Sequence, residues 1–186
     1  RLVVGVELTP YPRIFVPLDD WLSRKMGVSS LMGRCKGQDG ASVLTMQDGT
    51  ALGCAVCYES IYGEYCTGYV NAGAEAMAVI TNDAWWGDTP GYKQHLNYSR
   101  LRAIELRRDF ARCGNTGISC FIDQKGDIVS KTDWWKFQTL RGSINFNTGK
   151  TFFVRNGDIV GRVSTLMFFL LSVLLLIRVL MRKKLS

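Results

Sequence analysis

Histidine is nearly missing from this sequence: His95 is the one histidine in 186 residues. A structural zinc takes three or four Cys or His ligands, and the CxxC pair of Cys54 and Cys57 has no second pair to complete such a set. Neither a metal nor a cofactor is expected. Proline is scarce as well, and three of the four prolines fall before residue 18. Internal repeats are absent, and no low-complexity linker interrupts the chain before Gly161.

Acidic residues are absent from Arg162 onward, and this absence changes the meaning of the net charge. Of the +7 overall, Arg162, Arg178, Arg182, Lys183 and Lys184 supply +5, leaving +2 for residues 1–161. A body so close to neutrality has no phosphate-binding footprint, which argues against a nucleic-acid partner. Charge of either sign is missing from Val163 to Ile177. As a helix this run would rise about 22 Å, and continuing to Met181 adds about another turn toward a hydrocarbon core of about 30 Å. The basic end, Arg182-Lys183-Lys184, predicts a cytoplasmic C-terminus by the positive-inside rule and places the preceding domain on the outer side. The expected division is therefore 1–160 as a folded domain and 161–186 as a transmembrane helix with a short basic tail. The opening "RLVVGVE" has the character of a strand already under way and no initiator Met, so the chain is expected to be the C-terminal part of something longer.

What is present alternates between strand and helix signals. "SVLTMQDGTALGCAVC" predicts a hairpin turning at Asp48-Gly49. "SIYGEYCTGYVNAGA" has helical spacing through Ile61, Tyr65 and Tyr69 up to Gly73, and "EAMAVITND" fits a short buried strand. A short helix is expected at Asp19–Lys25, after an irregular proline-rich loop. The longest helical candidate is "YKQHLNYSRLRAIELRRDFARC", with Leu101, Ile104 and Ala111 on one face and Arg102, Glu105 and Arg108 as a solvated ion-pair face. "GISCFIDQKGDIVSKT" predicts a second hairpin around Lys125-Gly126. Mixed α/β layers follow from this order.

Six cysteines, at 35, 54, 57, 66, 113 and 120, match no small disulfide framework. A redox role for Cys54 and Cys57 fails on geometry: such pairs sit at helix starts, whereas residues three apart in a strand point to opposite faces. Cys54, within "ALGCAV", is expected in the core. Cys57 ends the strand before "YESIYGEY", where a strand-to-helix turn exposes a side chain and aims the following amides at whatever binds. From spacing alone, a nucleophile and a structural cysteine both remain open.

"CYESIYGEY", "ITNDAWWGDTPGYKQHL", "RLRAIELRR" and "NTGIS", in this order, resemble the C-terminal half of the nitrilase-type (carbon-nitrogen hydrolase) domain of the apolipoprotein N-acyltransferase family. "LVVGVE" and the apolar C-terminal helix also fit, so the resemblance spans nearly the whole chain. It implies an αββα sandwich and a Glu-Lys-Cys catalytic set in which Cys57 is the cysteine. The glutamate base and the lysine would both precede "LVVGVE". Glu7 matches a supporting glutamate, Glu59 the acid two residues after the nucleophile, and Tyr58 the residue whose backbone N–H helps form the oxyanion hole.

The implied reaction is acyl transfer through a Cys57 thioester, from a phospholipid donor to the N-terminal amine of a diacylglyceryl-modified apolipoprotein, at the bacterial inner membrane with the catalytic domain periplasmic. Trp85, Trp86 and Asn82 lie in a loop that the resemblance puts near the site, as candidate substrate contacts. One of the two tryptophans is expected in the core, and Asn82 and Asp83 also suit a strand-ending turn. Trp134-Trp135 fits an interfacial anchor or ordinary packing. His95 is expected to be a polar structural residue, because the family's base is a glutamate. Two rival readings are a membrane-tethered amidase hydrolysing a small amide and an inactive anchored binding module.

Overall fold

A computed structural model describes residues 11–27 and 40–185. Glu7 and Cys35 lie outside the described residues. Helix α1 spans Pro12–Met26, with Pro12 in its first turn, where a missing N–H costs nothing, and Pro17 inside it. It therefore begins within the stretch expected as a proline-rich loop.

Among the described residues six strands form one sheet in sequential order: β1 (Val43–Thr45), β2 (Ala51–Val56), β3 (Ala76–Asn82), β4 (Phe110–Asn115), β5 (Cys120–Ile122) and β6 (Ile128–Lys131). β1 and β2 make the expected hairpin, with Gly49 at φ 87. The three central strands β2, β3 and β4 are parallel, and β5 and β6 extend the sheet antiparallel. Parallel neighbours need crossovers. These are α2 (Gly63–Asn71) between β2 and β3, and α3 (Gly91–Leu106) between β3 and β4. Crossovers of one hand along a sequential strand order put both helices on the same face of the sheet.

That face holds the core. Ala55, Met77, Val79 and Phe110 point into it and meet Cys66, Tyr69 and Val70 of α2 and Leu96, Ala103 and Leu106 of α3. Gly53 is required here: a Cβ would stand 2.6 Å from Met77 Sδ and 2.9 Å from Tyr69 Cβ. The opposite face carries Val56, Ile80 and Cys113, all exposed, in one cross-strand row. Cys54 belongs to this second face and is only half-buried, so it is not the core cysteine expected of it. Cys66 and Cys120 are.

The long helical candidate is shorter than its spacing predicts. α3 stops at Leu106, Arg107 caps it at φ 51, and residues 110–115 are β4. Leu101 and Ile104 are 43% and 42% exposed. The inward stripe is Tyr92, His95, Leu96, Ser99, Arg102, Ala103 and Leu106. Arg102 is buried and pairs with Glu105 at 2.8 Å, so this pair is not the solvated face expected.

After β6 the chain runs back without regular structure to α4 (Phe152–Asn156), which Thr151 caps by accepting from Val154 N. α5 (Ile159–Leu185) follows. Within it, Ile159–Met181 is long and apolar enough to cross a membrane, with a mean hydropathy of 2.5 over its most apolar window and none of that window buried. Arg162 at its start pairs with Glu64 of α2 at 2.7 Å, and Asp158 N donates to the same carboxylate oxygen at 2.8 Å.

Candidate active site

Cys57 follows β2 directly and opens a 3₁₀ turn, Cys57–Ile61. Its φ is 50, in the left-handed region that costs a non-glycine residue about 1–3 kcal/mol and persists only where surroundings enforce it. Since Val56 pairs with Ile80, the next position brings Cys57 beside Thr81, whose Oγ1 lies 3.3 Å from the Cys57 sulfur. The cysteine thus stands at the carboxyl ends of the parallel strands, where open α/β sheets bind their ligands.

The other candidates shape this turn. Glu59 Oε2 accepts from Val56 N at 2.8 Å, and Glu59 Oε1 accepts from the Tyr65 hydroxyl at 3.2 Å. Its carboxylate therefore ties the turn to β2 and α2. Tyr58 follows Cys57 in the first turn, where an amide has no intrahelical acceptor. Its ring stacks with Trp86, centroids 6.0 Å apart, and lies tilted against His95 at 5.7 Å. Trp86 is half-buried against Gly91, while Trp85 is 82% exposed, so neither is a core residue. Asn82 Oδ1 accepts from Ala84 N at 3.1 Å and starts the turn that carries both tryptophans. Trp134 stacks on Tyr92 with centroids 5.1 Å apart, and its neighbour Trp135 is exposed.

Beneath the turn lies a buried polar cluster. Asp83 Oδ1 is 2.9 Å from His95 Nδ1, and Asp83 Oδ2 accepts from Arg112 at 2.7 Å. Arg112 also donates to Ser99 Oγ at 3.1 Å. His95 Nε2 is 3.3 Å from the Cys57 carbonyl and 3.2 Å from Ser60 Oγ, which itself donates to that carbonyl at 2.8 Å. Burial alone would raise the Asp83 carboxyl, but the His95 hydrogen bond and the Arg112 charge outweigh it and hold the group below its ordinary value. Gly117, in "NTGIS", sits against Asp83 with no room for a Cβ. Thr81, Asp83, His95 and Arg112 were not singled out as site residues from the sequence. The "ITND" and "KQH" segments carried three of them, but Arg112 stood in what looked like helix.

Among the described cysteines, burial raises the Cys66 thiol to about 12 and the Cys120 thiol to about 11, and raises Cys54 with help from the Glu59 charge. Thiols held in that form are inert. All five described cysteines are unpaired. A cavity of about 480 Å³ reaches Thr81 from the open sheet face, between Ile80, Cys113, Trp135 and Phe137. A larger one, about 860 Å³, lies between α2, α3 and the base of α5, at Glu64, Arg102, Glu105 and Arg162. Among the described residues no cluster of His, Cys, Asp or Glu could hold a metal ion.

The carbon-nitrogen hydrolase family pattern matches residues 11–152. The chain belongs to the carbon-nitrogen hydrolase family. Among curated relatives, it is 36% identical over 168 residues to the apolipoprotein N-acyltransferase of Chlorobaculum tepidum, covering 88% of this chain and 31% of that protein. It is 36% identical over 121 residues to the enzyme of the same name from Geobacter metallireducens, covering 64% of this chain and 23% of that one. The chain thus spans less than a third of the length of these curated relatives. Among solved structures, a carbon-nitrogen hydrolase from Helicobacter pylori G27 is similar at a TM-score of 0.49 and 15% identity, covering 57% of this chain and 44% of that one.

Proposed function

We propose that this carbon-nitrogen hydrolase chain carries the nucleophile of a membrane-bound acyltransferase that moves an acyl chain from a phospholipid to the N-terminal amine of a lipid-modified lipoprotein cysteine. The observation that carries the reading is Cys57 itself: a strained turn at the carboxyl edge of parallel strands, with a hydroxyl on its sulfur. The names of the relatives point to an apolipoprotein amine as acceptor, the phospholipid donor is what the resemblance implies, and the apolar helix α5 supports a membrane setting.

In the first step the Cys57 sulfur attacks the ester carbonyl, the S–C bond forms, and the C–O bond to glycerol breaks. The thiol proton passes through a carboxylate base to the departing oxygen, releasing a lysophospholipid. The base and the lysine are those the resemblance implies, at positions it puts before "LVVGVE". The Tyr58 amide faces the developing oxyanion. In the second step the amine attacks the thioester, the N–C bond forms, and the S–C bond breaks with the amine proton returning to sulfur. Glu59 holds the turn, Glu7 supports the site as the resemblance implies, and Trp85, Trp86 and Asn82 form the rim that acyl chains cross.

The test is made on the whole gene product. Incubation with phospholipid should add an acyl mass to Cys57 that hydroxylamine removes, and Cys57→Ala should abolish it. Retention of the adduct in Cys57→Ala with its loss in Cys54→Ala would overturn the assignment. Turnover of small amides with no lipid-derived adduct would replace acyl transfer by amide hydrolysis.

A further inference from the structure

Cys57 is held at a positive φ by contacts to its carbonyl, and those contacts have a second effect through the peptide plane. The Cys57 carbonyl and the Tyr58 N–H belong to one peptide unit, which is planar and trans, so the two groups point in opposite directions. Whatever fixes the carbonyl toward the interior fixes the amide outward. Two groups reach that carbonyl: the Ser60 hydroxyl donates to it at 2.8 Å, and His95 Nε2 stands 3.3 Å away, where it donates when the ring carries a proton on both nitrogens, the Nδ1–H being taken by Asp83.

His95 is well placed to act as a rigid strut. It is 2% exposed, and its other nitrogen lies 2.9 Å from Asp83, which Arg112 holds from the far side at 2.7 Å. The Arg112 guanidinium is held in turn by Ser99, and Gly117 closes against Asp83. Three separate pieces of chain, α3, β4 and the loop after β3, thus converge on one imidazole whose free end meets the nucleophile's own peptide. Packing alone does not call for this arrangement, since an apolar side chain at residue 95 would fill the stripe of α3 without burying four polar groups.

We infer that His95, as an imidazolium donating from Nδ1 to Asp83 and from Nε2 to the Cys57 carbonyl, is a positioning residue that orients the Tyr58 amide toward the oxyanion. It touches neither substrate nor the reacting sulfur. The inference rests on the reading of Cys57 as the acylated nucleophile, and it makes the buried cluster part of the catalytic geometry.

Two substitutions separate the ends of the ring. In His95→Gln the side-chain amide reaches where Nε2 stands and can donate to the Cys57 carbonyl. In His95→Asn it stops where Nδ1 stands and serves Asp83 alone. Both are made in the whole gene product, with thermal melting to fix the folded fraction.

The probe is acylation of Cys57 by p-nitrophenyl butyrate, in which the thiol adds to the carbonyl and p-nitrophenolate leaves. The same rates are then measured with a phosphatidylethanolamine donor. Removing one oxyanion donor costs about 10²–10³-fold in rate. His95→Asn should therefore lose about 100-fold in the maximal acylation rate with KM nearly unchanged, and His95→Gln should recover to within about tenfold of wild type. Alkylation of Cys57 by iodoacetamide, which develops no oxyanion, should be the same in all three.

Equal acylation rates in the Asn and Gln variants, or losses that follow the folded fraction, would overturn the inference. So would a parallel loss of alkylation in His95→Asn, which would place the effect on the thiol. A discriminating response to the nitrophenyl ester with no reaction from phospholipid would instead overturn the lipid donor while leaving the role of His95 standing. No acylation of wild-type Cys57 by either donor would overturn both.

Discussion

The hydroxyl of Thr81 lies 3.3 Å from the sulfur of Cys57 and 3.2 Å from Asp83 Oδ1. One hydroxyl hydrogen serves two acceptors, so Thr81 can turn it to the sulfur when that becomes a thiolate without leaving Asp83 unpartnered. His95 and Arg112 both remain on the aspartate.

Thr81→Val keeps the shape of the side chain and removes the hydroxyl. A hydrogen bond to a charged group contributes about 1.5–3 kcal/mol, roughly 10- to 100-fold in rate. Cys57 alkylation by iodoacetamide at pH 7 should fall by that factor, and Thr81→Ser should restore it. Wild-type reactivity in the Val variant across pH 6–9 would reduce Thr81 to packing.

The two tryptophans should respond differently. Trp85 is almost wholly in solvent, so Trp85→Ala should shift stability by no more than about 0.5 kcal/mol. Trp86 is stacked on Tyr58, and such ring pairs contribute about 0.5–1.5 kcal/mol beyond area burial. Trp86→Ala should destabilise by at least that amount. If Trp85 is the acyl-chain rim, its alanine variant should slow thioester formation at unchanged melting temperature. Wild-type activity per folded molecule in both variants would return the pair to surface and packing roles.

How much of this was legible in the sequence depends on the range of the interaction. The Asp48-Gly49 hairpin and the placement of Cys57 at a strand end follow from local spacing, and the structure has both. The end of α3 was not legible because Arg107 caps it in a left-handed conformation that a glycine would ordinarily signal. Its inward stripe was hidden because His95, Ser99 and Arg102 occupy it, so apolar spacing pointed instead to Leu101 and Ile104. The burial of Arg102 and Glu105 is imposed from far along the chain: Thr151 donates to the Glu105 carbonyl at 2.6 Å, and Arg102 donates to the Ile61 carbonyl at 2.7 Å. The Asp83–Arg112 bond joins the loop after β3 to β4, so no spacing rule could find it.

Acid should destabilise the folded domain through Asp83 in particular. Its folded value lies below its ordinary one, so its contribution is fully present above about pH 3.9 and is lost as pH falls through the folded value. Glu105 has the opposite sign. Burial outweighs the Arg102 pair and raises it, so the folded state is penalised as pH rises from 4.5 through the raised value. Asp83→Asn leaves Arg112 as an unpaired buried charge and should cost about 3–5 kcal/mol at pH 7. That deficit relative to wild type should shrink on acidification below about pH 4, whereas the stability of wild type relative to Glu105→Gln should fall as pH rises above 4.5. Denaturation of the three proteins from pH 3 to 8 measures both slopes, and a deficit for Asp83→Asn that is constant across this range would refute the linkage.

The orientation of α5 is open to a direct test. Ile159–Met181 would rise about 35 Å as a helix, enough to cross a hydrocarbon core of about 30 Å. Its first turn is fastened to α2 through Arg162, Asp158 and Glu64, and α2 begins directly after the Cys57 turn. An insertion that starts at Ile159 would thus hold the nucleophile's turn beside the membrane on the side opposite the basic tail. Arg182, Lys183 and Lys184 at the far end favour the cytoplasm. A cytoplasm-active reporter fused after Ser186 should therefore be active and an exported-only reporter silent, and a protease added to intact spheroplasts should cleave within residues 133–151 while sparing a C-terminal tag. The reverse pattern would put Cys57 on the cytoplasmic side, where the proposed lipoprotein acceptor could not meet it after export. Exposed Glu64–Arg162 pairs contribute little stability by themselves. Glu64→Ala should accordingly leave the melting temperature nearly unchanged and slow acylation from phospholipid vesicles more than from a soluble nitrophenyl ester, because what it loosens is the domain's hold on α5.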